Sequence, residues 1–255
     1  MNVRTASLPK AGVADRVFAE PKPRLDDFEF NKQVVDVFDD MVDRSVPYYG
    51  EIQRMVAELA ADFATPEGVI YDFGCSTANS FIAIDRYLPE DFTAQFVGID
   101  SSPEMLDKAQ QKLREINFRH TCDFRQSDLN EGVAVNNANV ALLVLTLQFV
   151  RPMHRDALLK SIYDGLNPNG CLILVEKVLG EHSIFNRLFI KHYYEMKKRN
   201  GYSDLEIAQK REALENVLIP YRLEENKTLL RRIGFEHVDV FFKWYNFCGI
   251  IAMKL

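Results

Sequence analysis

Val69-Ile-Tyr-Asp-Phe-Gly-Cys-Ser-Thr-Ala-Asn-Ser80 joins a short β-branched run to a turn of small residues. The apolar positions that follow, Phe81, Ala83 and Ile84, have helical spacing. Strand, tight turn and helix are therefore expected in succession. Gly74 permits the turn, and Ser76 and Ala78 are small enough to leave backbone N–H groups open to a ligand. One βα unit further on, Gln95-Phe-Val-Gly-Ile-Asp100 reads as a second strand ending in a carboxylate. An acid there is placed to accept hydrogen bonds from both hydroxyls of a ribose. In Gln126-Ser-Asp-Leu129, Asp128 can accept from an adenine amino group while the Leu129 N–H donates to the ring. Asp72, at the end of the first strand, can face an ammonium group. Ribose, adenine and ammonium together describe S-adenosyl-L-methionine.

Outward from this stretch, strands are expected near 68–73, 95–100, 122–127, 139–146 and 171–177, with helices near 78–87, 103–116 and 154–166 between them. Ser101 or Ser102 caps the helix that carries Pro103 and Glu104 in its first turn. Gly165-Leu-Asn-Pro-Asn-Gly170 reads as a turn into the next strand. Such alternation implies a parallel sheet covered on both faces. The last runs, 236–243 and 245–254, leave no room for a helix and should form an antiparallel hairpin. The expected fold is α/β: a Rossmann-like class I methyltransferase fold with seven mostly parallel strands, the terminal hairpin and extra helices. A dinucleotide-binding fold of the ordinary kind has no such hairpin. Two amphipathic helices precede the sheet. One, over 31–43, carries the stripe Val34, Phe38, Met41; the other, over 47–63, carries Tyr48, Ile52, Met55, Leu59 and has Pro47 at its first position.

At 255 residues the chain can bury one large core. Residues 1–26, with Pro9, Pro21 and Pro23, read as a flexible lead-in, and 27–255 as one domain with a helical insert over about 182–233. Apolar runs are too short to span a membrane, and the N-terminus is too polar for a secretory signal. A net charge of −6 disfavours a broad nucleic-acid surface. Cys75, Cys122, Cys171 and Cys248 are scattered, so buried thiols in a cytoplasmic protein are expected and no metal site.

Longer segments carry a more specific likeness. Arg44-Ser-Val-Pro-Tyr-Tyr49, Tyr71-Asp-Phe-Gly-Cys-Ser76, Leu145-Thr-Leu-Gln-Phe149, the 165–170 turn, the stretch Asn200 to Val217 and the tail Gly234-Phe-Glu-His237 with Trp244-Tyr-Asn-Phe247 resemble the bacterial carboxy-S-adenosyl-L-methionine synthase family. The resemblance implies carboxylation of S-adenosyl-L-methionine at its methyl carbon, with prephenate as carboxyl donor and phenylpyruvate as by-product. The carboxy-S-adenosyl-L-methionine formed would serve a tRNA carboxymethyltransferase that modifies the wobble uridine. It also implies a homodimer, and ligand contacts at Tyr49, Gly74, Cys75, Ser76, Asp100, Ser101, Asp128, Leu129 and Arg211. Two departures are visible. Methyltransferases usually carry glycines where this chain has Ser76 and Ala78, and the family has Asn where this chain has Val144.

Arg211 is informative in its own right. Ser203 and Glu206 form a capping box, and Ile207, Arg211, Leu214 and Leu218 fall on one stripe of the helix that follows. A cation in an apolar stripe needs a partner. Either an internal carboxylate or a ligand carboxylate would serve, the latter in bidentate fashion. Tyr49 is a second candidate donor to the same anion. Tyr202 reads as a structural aromatic and Lys210 as a solvated charge. No histidine falls in a cofactor turn, so no protein base is named. Plain methyl transfer to a small molecule or tRNA, and a non-catalytic S-adenosyl-L-methionine-binding module, are the alternatives.

Overall fold

Successive residues of a strand face opposite sides of a sheet, and here both sides are buried. In the computed structural model, which describes residues 13–255, seven strands form one sheet. They are β1 (Val69–Phe73), β2 (Gln95–Asp100), β3 (Thr121–Gln126), β4 (Ala138–Val144), β5 (Leu166–Lys177), β6 (His237–Trp244) and β7 (Phe247–Met253), in the order β3-β2-β1-β4-β5-β7-β6. The first five pair in parallel; β7 runs antiparallel to both β5 and β6. This is the class I methyltransferase arrangement, terminal hairpin included.

Among the described residues eight α-helices surround the sheet: α1 (Lys32–Ser45), α2 (Tyr49–Phe63), α3 (Asn79–Asp85), α4 (Pro103–Glu115), α5 (Pro152–Gly165), α6 (Ser183–Arg199), α7 (Asp204–Leu214) and α8 (Leu223–Ile233). Ile70, Leu142 and Ile173 pack with Ile52 and Val56 of α2 and Phe81 of α3. Their strand neighbours Tyr71, Leu143 and Leu174 pack with Leu158 of α5 and Leu230 of α8. The period of two in β1, β4 and β5 thus divides one apolar run between two cores.

Several expectations shift in detail. β5 begins at Leu166, so the 165–170 turn is a register break at the start of the strand. Pro47 lies outside α2, which starts at Tyr49 after a left-handed Tyr48. That entry rotates the helix by one position: Tyr48 is 66% exposed, and Tyr49, Ile52, Gln53 and Val56 face inward. Ser102, not Ser101, caps α4, its hydroxyl accepting from the Met105 N–H.

Residues 1–12 of the expected lead-in lie outside the described residues. From Val13 onward the segment is held rather than loose. Gln209 on α7 donates to the Phe18 and Glu20 carbonyls and accepts from the Lys22 N–H. Phe18 and Phe28 join Val34, Val35 and Met41 of α1 in a third apolar cluster. The strap then continues past α4, where Ser102 Oγ donates to the Phe30 carbonyl at 2.8 Å. Among the described residues no helix is long and apolar enough to cross a membrane.

Candidate active site

A cavity of about 270 Å³ opens at the C-terminal ends of β1, β2, β4 and β5, roofed by Phe28 and Phe30 of the strap. Parallel sheets of this kind take their ligands at that edge. Tyr49, Asp72, Gly74, Cys75, Ser76, Asp100, Ser101, Asp128, Leu129 and Val144 all line it.

The turn after β1 explains the sequence there. Gly74 has φ +78°, and a Cβ on it would come within 2.5 Å of Thr146 Oγ1. Ser76 and Ala78 also sit at positive φ, 46° and 62°. Left-handed backbone costs a non-glycine residue roughly 1 kcal/mol, which is why glycine is common at these places. Leu145, just past β4 beside this turn, has φ 61°. Ser76 and Leu145 thus bring two strained backbone positions to the cavity lining.

The carboxylates divide by their surroundings. Asp100 Oδ2 accepts from the Ser76 N–H at 2.9 Å and Oδ1 from the Ser102 N–H at 3.0 Å. Burial pushes its proton affinity up, and these backbone donors hold it down. The Ser101 N–H adds to this hold on the carboxylate. Asp128 Oδ1 accepts from Asn130 twice, at 2.9 and 2.7 Å, which fixes the loop after β3.

Asp72 is different. It is 2% exposed, and its Oδ1 has no hydrogen-bond partner. Burial, with Asp100 nearby, pushes it up to about 7 despite the Ser80 hydroxyl. An orphaned buried oxygen in a cavity wall leaves an acceptor open to a donor from a ligand. It also destabilises the empty protein. A carboxyl that holds its proton more tightly folded than unfolded contributes stability at low pH, and loses it as pH rises from 3.8 to about 7. Asp72→Asn is therefore expected to stabilise the ligand-free protein at pH 8 by roughly 4 kcal/mol and to change little at pH 4. Thermal unfolding at the two pH values checks this; an equal effect at both would contradict it.

Tyr49 is oriented by a polar network that sequence reading missed. Its hydroxyl oxygen accepts from Gln53 Nε2 at 3.0 Å and Asn79 Nδ2 at 3.2 Å. Asn79 is in turn held by Lys112 and Asp39. With both lone pairs engaged, the Tyr49 proton is free to be donated elsewhere. Burial raises its proton affinity, so it stays a donor at neutral pH. Val144 lines the cavity, and its carbonyl accepts from Thr146 Oγ1 at 3.3 Å.

Arg211 overturns the stripe read from the sequence. It is exposed, and it does not line this cavity. The inward face of α7 runs through Ile207, Lys210 and Ala213, and the helix stops at Leu214. Lys210, expected to be solvated, is 6% exposed and lines the cavity, as does Lys177 at the end of β5. Arg211 nevertheless has no ion pair among the described residues. No cluster of three or more metal-ligating side chains is present among the described residues.

A methyltransferase-domain profile matches residues 70–170. A carboxy-S-adenosyl-L-methionine synthase from Methylococcus capsulatus is 57% identical over 94% of this chain and 99% of its own length. The chain belongs to the carboxy-S-adenosyl-L-methionine synthase family. A synthase of the same name from Desulfotalea psychrophila is 43% identical, covering 94% of this chain and 97% of its own. Among solved structures, an O-methyltransferase family protein from Burkholderia thailandensis matches with TM-score 0.63 at 16% identity, over 88% of this chain and 60% of its own. That likeness shows the fold.

Proposed function

We propose that the protein converts S-adenosyl-L-methionine and prephenate to carboxy-S-adenosyl-L-methionine and phenylpyruvate. The observation that carries this reading is the end-to-end likeness to synthases of that name. The cavity fits the first substrate. Asp100 takes the ribose hydroxyls, Asp128 and the Leu129 N–H address adenine, and the orphaned Asp72 oxygen takes the ammonium group. Protonation of Asp72 competes with that cation, so affinity should fall up to about tenfold per pH unit below about 7.

When both substrates are bound, prephenate supplies the chemistry: aromatisation releases carbon dioxide and hydroxide, the methyl carbon gains the carboxyl group, and its proton leaves with the hydroxide as water. The chain's own residues bind, orient and exclude water. Phe28 and Phe30 cover the cavity, and Tyr49 presents its proton to the new carboxylate.

A homodimer completes the site. Ile184, Phe185 and Leu188 stand 50%, 55% and 43% exposed on α6, an apolar patch that a second copy would cover. Arg211 of the partner subunit would then bring an uncommitted guanidinium to this cavity. The product would feed a tRNA-modifying enzyme at the wobble uridine. The free thiols fit the reducing cytoplasm.

Plain methyl transfer is the second reading, favoured by Val144 in place of the family Asn. Incubation with both substrates separates the two. A product heavier than S-adenosyl-L-methionine by one carbon dioxide, formed together with phenylpyruvate, is expected. S-adenosyl-L-homocysteine, or phenylpyruvate without any carboxylated product, would contradict the proposal.

A further inference from the structure

Three lysines from three elements converge on the β5 side of the cavity: Lys177 ending β5, Lys197 on α6 and Lys210 on α7. Their ammonium groups are interleaved with two phenol rings. Lys177 and Lys197 lie 5.1 and 5.6 Å from the centroid of Tyr193. Lys197 and Lys210 lie 5.3 and 5.7 Å from that of Tyr202. Lys197 is 4% exposed, and Lys177, Tyr193 and Lys210 line the cavity.

The opposing negative charge is small. Asp15, reaching in from the strap, accepts from Tyr202 Oη at 2.5 Å and lies 3.7 Å from Lys210 Nζ. Asp40 is paired with Arg44. Glu206 acts on Lys197 only through space and is engaged in the α7 capping box. Among the described residues, Lys177 and Lys197 have no ion pair. Burial accordingly pulls Lys177 down to about 8, and burial with its two lysine neighbours pulls Lys197 down to about 7.

Two buried ammonium groups packed on one phenol ring beside a ligand cavity, with no ion pair among the described residues, are costly unless an anion joins them. Holding both lysines protonated takes two negative charges, one each for Lys177 and Lys197. We propose that Lys177, Lys197 and Lys210 form the receptor for the second substrate, and that this substrate enters as a dianion bearing two carboxylates. Lys177, on the cavity lining, meets one carboxylate; Lys197, 5.6 Å over the Tyr193 ring and off that lining, attracts the other through space. Lys210, already neutralised in part by Asp15, holds that end in place. The inference rests on the carboxylation reading for the reaction, while the charge deficit stands independently of it.

The test is calorimetric titration of prephenate into full-length protein saturated with S-adenosyl-L-homocysteine. Wild type is compared with Lys177→Met, Lys197→Met and Lys177→Arg. Methionine keeps the apolar stem and removes a buried cation, so the melting temperature should not fall. Each methionine variant should bind prephenate about tenfold or more weakly, and Lys177→Arg should recover most of the loss. Affinity for S-adenosyl-L-homocysteine should stay within about twofold, and in turnover only the KM for prephenate should rise. Unchanged prephenate affinity in both methionine variants would overturn the receptor. So would an equal loss for S-adenosyl-L-homocysteine, which would assign the lysines to the amino-acid carboxylate of the first substrate. Wild-type protein that makes the carboxylated product while the variants keep their KM sinks the receptor and spares the reaction. Lysine-dependent binding without that product sinks the reaction and spares the receptor.

Discussion

Arg211→Ala is expected to abolish carboxyl transfer while leaving the fold and S-adenosyl-L-methionine binding intact. The side chain is exposed and has no ion pair among the described residues, so its removal should change stability by no more than about 0.5 kcal/mol. A guanidinium that meets a carboxylate across a subunit boundary is another matter. Truncating one member of such a pair costs about 2–5 kcal/mol, a loss of roughly 30- to 4,000-fold in turnover. Since Arg211 is outside its own chain's cavity, the deficit should be complemented from a second chain. Asp100→Ala destroys the adenosyl site of one chain but leaves that chain's arginine in place. Equal mixing and re-equilibration of the two inactive variants should regain about a quarter of wild-type activity, because half the dimers are mixed and each has one complete site. A mixture that stays inactive would show that the arginine is not supplied across a subunit boundary, and an Arg211→Ala variant that keeps its activity would place it outside the reaction.

Asp100→Ala should show the largest loss of ligand affinity of any single change in the cavity. Two charge-assisted acceptors vanish at once, and each is worth about 1.5–3 kcal/mol. The Ser76 and Ser102 N–H groups, which the carboxylate holds at 2.9 and 3.0 Å, are also left without a partner. The turn after β1 and the start of α4 then lose their tie. S-adenosyl-L-homocysteine binding should weaken by about 10²-fold or more, read by titration calorimetry. Asp100→Asn should fall between, since one acceptor oxygen remains. A loss below about threefold in the alanine variant would mean that the adenosyl group lies elsewhere.

What could be read in advance was what short-range pattern controls. The alternation of β-branched runs with helical spacing gave every strand to within a few residues, except that β5 starts early. The acids at 72, 100 and 128 were placed because the end of a strand is visible as the end of an apolar run. The phase of α7 was not visible in this way. Ile207 and Leu214 fit a stripe through Arg211 as well as one through Lys210. The choice is made by the strap, whose Phe18 carbonyl meets Gln209 from 191 residues away. No periodicity within α7 contains that contact. The one-position rotation of α2 has a similar origin in the left-handed Tyr48. Lys177 and Lys197 had no local signal at all. Each is a charge beside an apolar segment, and only the packing of α6 against the end of β5 brings them to one ring. Gln53 and Asn79, which turn the Tyr49 proton outward, were hidden for the same reason.

A cavity that, as proposed, holds an adenosyl group with acids and meets a carboxylate with cations should retain its product through purification. The mass of the small molecule released on denaturing freshly purified protein tests this most directly. S-adenosyl-L-methionine plus one carbon dioxide is the result expected. Release of S-adenosyl-L-methionine or S-adenosyl-L-homocysteine alone, from cells able to make prephenate, would contradict it.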